Sequence, residues 1–289
     1  MEKEIEGKMK SINKLRVLTL ISYLVALFLA LFFIIRAIAL RALDYRILLL
    51  TLLIYAISSF VIEKKYTAVF IKENMILSLS KYLSSVTFSK KGSVEKSDVI
   101  DTGVYPLSAD DGKSFISSDE ARGERNGAKC TFSSFISYFP DTRSGSKHKF
   151  ALMKGMYISS KLSSDTSYDI AFGSYGVLDE DVADQFFRGQ GLTEVKISDD
   201  FFSYSRGSIP GSLEKAICNL LSQCSLKDVK VVLRIKGDKL VLVEKDKEVN
   251  VKLPLLKSPS PDVLYAPALP ALGEYFTLLD NLERGEKRI

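Results

Sequence analysis

The feature that most constrains the fold is an apolar run near the N-terminus. Val17 to Ile35 form nineteen consecutive residues without a charge. At about 1.5 Å per residue, a helix of this length nearly crosses the ~30 Å hydrocarbon core of a bilayer. Neither this run nor the next one has a polar face, which argues against a buried pair of helices in a soluble core. The sequence therefore predicts a transmembrane helix over 17–35.

A second apolar run follows after a short connection. Residues 47–62 contain no charge, but sixteen residues are few for a span. Tyr45 and Tyr66 can lie at the two interfaces, and basic side chains at the ends can extend toward water. We predict a two-helix transmembrane hairpin with spans 17–35 and 47–62. A cleaved signal peptide is not favoured, because the first run exceeds the usual ~7–15 residue apolar core and no small-x-small site follows it.

The lysines and arginines beside the two runs predict their orientation. Five lie in the basic N-terminal tail, 1–16, four lie in 63–81, and three lie in the connecting loop, 36–46. Two spans place both termini on one side, so the comparison is nine against three. Cytoplasmic segments carry the excess of positive charge. We expect a multi-pass protein of the cell (inner) membrane with both termini in the cytoplasm, where three unpaired cysteines also fit a reducing environment.

The basic excess lies next to the predicted bilayer. The net charge is +5, and residues 63–96 alone contain seven lysines and three glutamates, or +4. Anionic lipid at the cytoplasmic face attracts such a segment. We predict that Lys64, Lys65 and Lys72, on the first turns after the second span, contact it. The distal residues lack the mixture of basic and aromatic side chains typical of a nucleic-acid face, so no nucleic-acid partner is expected.

Residues 63–88 have a helical pattern that continues the second span, within a predicted helical juxtamembrane stalk over 63–96. Val69, Ile76 and Leu83 are spaced by seven residues. Such a spacing is typical of one helix face. The face either packs on the chain's own domain or forms a short coiled-coil seam with another subunit, so a homo-oligomer is one open alternative.

The remaining chain has the pattern of an α+β domain over 97–255. Asn126-Gly127 is a strong hairpin signal, and it separates runs rich in β-branched and aromatic residues. A second hairpin is predicted around Gly237-Asp238, and an apolar stripe predicts a helix over 212–224. We expect a mostly antiparallel sheet with one or two packed helices, followed by a proline-rich linker and a C-terminal helix within 256–289.

Chemistry-bearing motifs are few. One histidine and three cysteines exclude a two-histidine zinc site and a four-cysteine site within one chain. Ser-x-x-Lys occurs six times, which is too often to identify a Ser/Lys dyad. We therefore predict no catalytic, cofactor or metal residues. The main hypothesis is a non-enzymatic binding, scaffold or accessory subunit with an unidentified membrane or cytoplasmic protein partner. The alternative is a membrane-anchored hydrolase or transferase that uses carboxylates or a Ser/Lys pair.

Several short motifs carry a resemblance to a known family. They are Ser118-Asp119-Glu120 with Gly123 and Gly127, then Met153-Lys154-Gly155-Met156-Tyr157 with Lys161, and Ser198-Asp199-Asp200 followed by Pro210. With the two spans and the stalk, this layout resembles the bacterial membrane family called domain of unknown function 3137. The chain has Ser203 and Ser205 where that family tends to have Glu and Arg. The resemblance covers roughly 60–255 and implies a membrane-anchored cytoplasmic domain, with no known activity to transfer.

Overall fold

The computed structural model describes residues 2–40, 45–104, 115–140, 149–175, 180–195, 201–226, 229–245 and 271–285. The chain divides into two compact units. The N-terminal helical unit includes residues 1–78, and the α+β domain includes residues 79–250 and 267–289. The class is therefore α+β with a long apolar N-terminal helix, as the sequence predicts.

Four helical segments form the N-terminal unit. They are α1 (Glu2–Leu40), α2 (Tyr45–Ile57), a π-helical segment (Ser58–Glu63) and α3 (Lys64–Leu79). In the part of the chain that the structure describes, α1 is the one helix long and apolar enough to cross a membrane, judged by length and composition. Helix α2 is equally apolar but has only 13 residues.

Helix α1 packs along the helices that follow it. The rings of Tyr23 and Tyr55 lie 6.0 Å apart, and the Tyr23 hydroxyl donates a hydrogen bond to Glu63. Nearer the N-terminus, Ile12 of α1 is fully buried in a small apolar cluster with aromatic residues of α3. Lys8 Nζ lies 3.5 Å from Glu73 Oε2 in the same region. The basic N-terminal segment is therefore helical and packed against α3.

The prediction of a helix through residue 88 is wrong beyond Leu79. The amides of Tyr82 and Leu83 both bond to the Leu79 carbonyl, and they close the last turn of α3. Residues 84–91 then form strand β1, in which Phe88 pairs with Ala121. The segment is serine-rich and contains Val86, Thr87 and Phe88 in succession, and such β-branched and aromatic residues suit a strand better than a helix.

The domain contains one antiparallel sheet of nine strands. They are β1 (Ser84–Lys91), β2 (Phe115–Arg125), β3 (Ala128–Pro140), β4 (Lys149–Lys161), β5 (Asp169–Ser174), β6 (Thr193–Glu194), β7 (Phe201–Ser205), β8 (Lys230–Lys236) and β9 (Lys239–Lys245). Their order across the sheet is β1-β2-β3-β4-β9-β8-β5-β7-β6. The described residues of the domain also form four helices: α4 (Lys96–Ile100), α5 (Glu180–Gly189), α6 (Gly211–Leu226) and α7 (Leu272–Gly285).

Helices pack on both faces of the sheet. Because side chains alternate along a strand, Tyr157 and Ser160 of β4 point to opposite faces. Tyr157 belongs to a core that includes Val99 of α4 and Phe187 of α5. Ser160 instead lies 2.8 Å from the Tyr275 hydroxyl of α7, and α7 packs on α6. Two covered faces explain why strands such as β8 are almost entirely buried.

The sequence predicts the local turns well and the domain limits less well. Asn126 and Gly127 have φ values of 52° and 95° in the turn between β2 and β3, which confirms that hairpin. The hairpin around Gly237-Asp238 is also confirmed, since it joins β8 to β9. The domain is larger than the predicted 97–255, because β1 joins the sheet and α7 packs against it.

A charged clamp attaches α7 to the sheet. Arg125 Nε and Nη2 lie 2.8 Å and 2.7 Å from the two carboxylate oxygens of Asp280, and Asn126 donates to the same carboxylate. The Arg125 guanidinium also stacks over the Phe276 ring at 5.2 Å. The hydrogen bonds from Arg125 lower the pKa of the Asp280 carboxyl. Paired groups of this kind are among the stronger polar contacts in proteins.

Asp280→Asn is expected to lower the free energy of unfolding by about 1–3 kcal/mol at neutral pH. A carboxyl with a lowered folded-state pKa stabilises the fold above its unfolded pKa, about 4, and loses that effect as the pH falls through the folded value. The difference between variant and wild type should therefore shrink below about pH 4. Denaturant unfolding at neutral pH and below about pH 4 measures the loss of stability and its dependence on pH. Asp165→Asn, at an exposed aspartate, is the control. Equal losses in the two variants would contradict the clamp.

Candidate functional site

A buried arginine lies near the centre of the domain. Arg234 is on β8 between Leu233 and Ile235, and it is only 3% exposed. The strand alternation turns its side chain to the face that α4 and α5 cover, away from its two apolar neighbours. An arginine stays protonated under almost all conditions, so its burial requires compensating partners.

Asp169 and Gln190 supply those partners. Arg234 Nη2 lies 2.5 Å from Asp169 Oδ1 and donates to Gln190 Oε1 at 3.1 Å. Arg206 contacts the same two residues, with Nη2 at 3.4 Å from Asp169 Oδ2 and 2.8 Å from the Gln190 carbonyl. Burial lowers the pKa of Arg234, and the Asp169 carboxylate opposes that shift. Both contacts of Arg234 are made by its Nη2 nitrogen.

The other donors of Arg234 are unmatched. Nε and Nη1 are both buried, and neither has a hydrogen-bond acceptor among the described residues. A buried donor without an acceptor costs about 1–3 kcal/mol, which is why such groups are rare in folded proteins. Arg234 has two such donors on one charged side chain, so an acceptor supplied from outside the chain would stabilise this part of the domain.

A cavity of about 270 Å³ lies over this arginine. It is lined by Asp98, Asp101, Thr102, Tyr157, Arg234, Lys236, Lys239 and Val241. The two aspartates come from α4 and the residue that ends it, whereas the arginine and the two lysines come from the β8–β9 hairpin. One wall of the cavity is therefore acidic and the other is basic.

Two hydroxyl groups complete the lining. Burial raises the pKa of Tyr157, and the Asp98 carboxylate raises it further, so the phenol stays protonated and can donate. The Thr102 hydroxyl donates to the Val99 carbonyl at 2.6 Å. Within the described ranges, no cluster of three or more His, Cys, Asp or Glu residues could hold a metal ion. The cavity thus offers charges and hydrogen bonds suited to binding a small polar molecule.

The motifs behind the family resemblance have structural positions. Glu120 is 2% exposed, accepts from the Ser93 amide at 2.6 Å and pairs with Arg122 at 2.6 Å. A Cβ at Gly155 would lie 2.0 Å from the Glu244 carbonyl oxygen, so the close approach of β9 requires glycine. The segment 198–200 lies outside the described residues. Apart from Tyr157, the described residues of these motifs do not line the Arg234 cavity.

The residues of the predicted seam lie in different surroundings. Val69 packs against the apolar cluster that joins α1 and α3, and Ile76 is half-buried on α3. Leu83 lies beyond the end of the helix and is buried where it meets Gly123 of β2. The prediction that one helix face carries all three residues is therefore wrong. An intersubunit contact through Ile76 stays a prediction. Lys64, Lys65 and Lys72 are all exposed on α3.

Sequence reasoning missed the residues of the cavity. Arg234 does carry a signal, because it interrupts the apolar run VVLRI, where an unpaired charge would be too costly to bury. Its partners have no comparable signal. Asp169 is distant in sequence, and Gln190 lies in a Gly-Gln-Gly turn at the end of α5, where Gly191 has a φ of 77°.

Comparison with known proteins adds little. No family model matches the chain, and no curated protein matches it. Among solved structures, the chain is similar to the crystal structure of the mycobacterial trehalose monomycolate transport factor A, TtfA. The alignment has 9% sequence identity and a TM-score of 0.35, and it covers 74% of this chain and 96% of TtfA. A TM-score of this size does not support a transfer of function from TtfA.

Asp169→Asn is expected to destabilise the domain by about 3–5 kcal/mol, because it leaves Arg234 as a buried charge without its counter-ion. The double variant Asp169→Asn with Arg234→Met should recover most of that loss, since the buried charge is removed as well. Chemical denaturation of the two variants and of Arg234→Met alone forms the complete cycle. Additive losses in the double variant would contradict the coupling of these two side chains.

Proposed function

We propose that this protein spans the membrane twice and holds its α+β domain at the cytoplasmic face, as a non-enzymatic binding, scaffold or accessory subunit. The observation that carries the proposal is the exposure of large apolar side chains over a broad part of the surface of α1. They include Leu24, Val25, Leu27 and Phe28, which have exposed fractions of 55%, 44%, 57% and 69%. Successive residues turn by about 100° around a helix, so these side chains point in several directions. Lipid is the solvent that suits such a surface.

The second span is supported by the continuity of the helices after α2. Helix α2 and the π-helical segment together run from Tyr45 to Glu63, nineteen residues, with Leu52, Leu53 and Phe60 exposed. At the α-helical rise these residues would cover about 28 Å, close to the hydrocarbon thickness. Glu63 accepts a hydrogen bond from Tyr23 of α1. Such a partner reduces the cost of placing an acidic group near the membrane boundary.

Cytoplasmic orientation rests on the positive charges. The packing of the N-terminal part of α1 on α3 supports a common side for Lys8 and the lysines of α3. The proposal includes membership of the family called domain of unknown function 3137, for which the support is the motif resemblance alone. The binding role is supported by the cavity over Arg234, which combines buried unmatched donors with a charged lining.

A reporter fused after Ile289 tests the topology. An enzyme reporter that works only in the cytoplasm should be active there, while one that requires the periplasm should be inactive, because the nine-to-three charge asymmetry retains both termini inside. Fusion within the 36–46 loop is the matched control and should give the opposite pair of activities. Activity of the periplasmic reporter at the C-terminus would overturn the orientation.

Contact with anionic lipid is tested by neutralising the three exposed lysines nearest the second span. The full chain with Lys64, Lys65 and Lys72 changed to Gln should retain fewer anionic lipids than wild type when native mass spectrometry is used to count them. Each lysine near an anionic surface contributes about 1 kcal/mol, and the effect falls away over about 8–10 Å. The same change at Lys129, Lys215 and Lys230, which are exposed lysines of the α+β domain outside the Arg234 cavity, is the control. Equal lipid retention by both triple variants would contradict a specific contact.

A further inference from the structure

We infer that the cavity over Arg234 binds a small zwitterion, a molecule that carries an ammonium group and an acid group on one short skeleton. The inference rests on the proposed binding role of the domain and names the class of its ligand. It depends on three observations: opposed charges on the two walls, the charge balance of the lining, and the unmatched donors of Arg234.

The two walls require opposite charges on one ligand. Asp98 and Asp101 lie on the α4 side, where they would attract an ammonium group. Lys236 and Lys239 face each other across the end of the β8–β9 hairpin and would attract an acid group. Asp101 and both lysines are exposed, so these charges are available to a ligand that enters from solvent.

The charge balance disfavours a simple ion. Asp169 pairs with Arg234 and also with the exposed Arg206, and the other charges in the lining are two lysines and two aspartates. A free phosphate or carboxylate would meet two carboxylates, and a simple amine would meet two ammonium groups. Like charges at close range cost free energy, whereas a zwitterion satisfies both walls at no net charge.

Arg234 lies on the hairpin side of the cavity, where the acid end of the ligand would bind. Its Nε and Nη1 donors are buried and have no acceptor in the part of the chain that the structure describes. An oxygen of a carboxylate or phosphate is the strongest acceptor for a guanidinium. Tyr157 adds a protonated hydroxyl, because burial and the Asp98 carboxylate both raise its pKa. The volume of about 270 Å³ lies just below the usual ~300–1,000 Å³ of ligand pockets, so the ligand is small.

The test is a binding screen on the full chain in lipid nanodiscs. Thermal shift is measured with each of the twenty L-α-amino acids and with phosphoethanolamine, and the best probe is then titrated by calorimetry. At least one probe should bind about tenfold or more tightly than the matched acid without the amine and the matched amine without the acid. If an amino acid binds most tightly, the anionic group of the ligand is a carboxylate. If phosphoethanolamine binds most tightly, that group is a phosphate. Absence of binding by every probe, or equal binding of the fragments, overturns the inference.

Charge variants separate binding from a structural effect. Asp101→Asn should weaken binding of the zwitterion about three- to tenfold and strengthen binding of the matched acid, because it removes only the acidic wall's charge. Lys239→Gln should weaken binding of both the zwitterion and the matched acid. Asp165→Asn and Lys230→Gln are the exposed controls outside the cavity. Parallel losses of both ligands in Asp101→Asn would overturn the two-wall arrangement. If reporter fusions place the domain in the cytoplasm and no probe binds, the ligand class fails while the membrane proposal stands.

Discussion

Exclusion of the apolar α1 surface from water is the constraint on which the other features depend. Side chains such as Phe28 and Ile38 are 69% and 74% exposed, and each large apolar side chain left in water loses about 1.5–3 kcal/mol of burial free energy. The domain has the opposite character, with strand interiors that are almost completely buried. One chain therefore contains a unit suited to lipid and a unit that provides its own core.

The sheet can bury so much because helices cover both of its faces. Strand β8 accordingly consists mainly of valine, leucine and isoleucine, which leaves little place for charge. Arg234 is an exception within this strand, and a residue of this kind is not needed for packing. Replacing a buried ion pair with apolar side chains is often neutral or stabilising, so stability alone does not explain its presence. The proposed role in holding a ligand would account for it.

Local patterns predict the fold best where one short segment determines its own geometry. Asn126-Gly127 needs only positive φ values, and the helix over 211–226 needs only its apolar stripe, so both follow from the sequence. Strand β1 does not, because Val86 lies seven residues after Leu79 and so continues the helical spacing of the preceding segment. Pairing with β2 decides between helix and strand. Membership of α7 in the domain depends on contacts across 155 residues of sequence, such as Arg125 with Asp280.

The same distinction applies to the site. Glu120 and Gly155 are noticed in the sequence through the family resemblance, and the structure shows what they do: Glu120 is a buried carboxylate and Gly155 allows a close backbone approach. The cavity is assembled from α4, β4 and the β8–β9 hairpin, whose residues have ordinary neighbours in sequence. Asp98 even has a local role, since it accepts from the Glu95 amide at the start of α4. A residue that already satisfies one local requirement gives no further sequence signal when tertiary structure places it at a binding site.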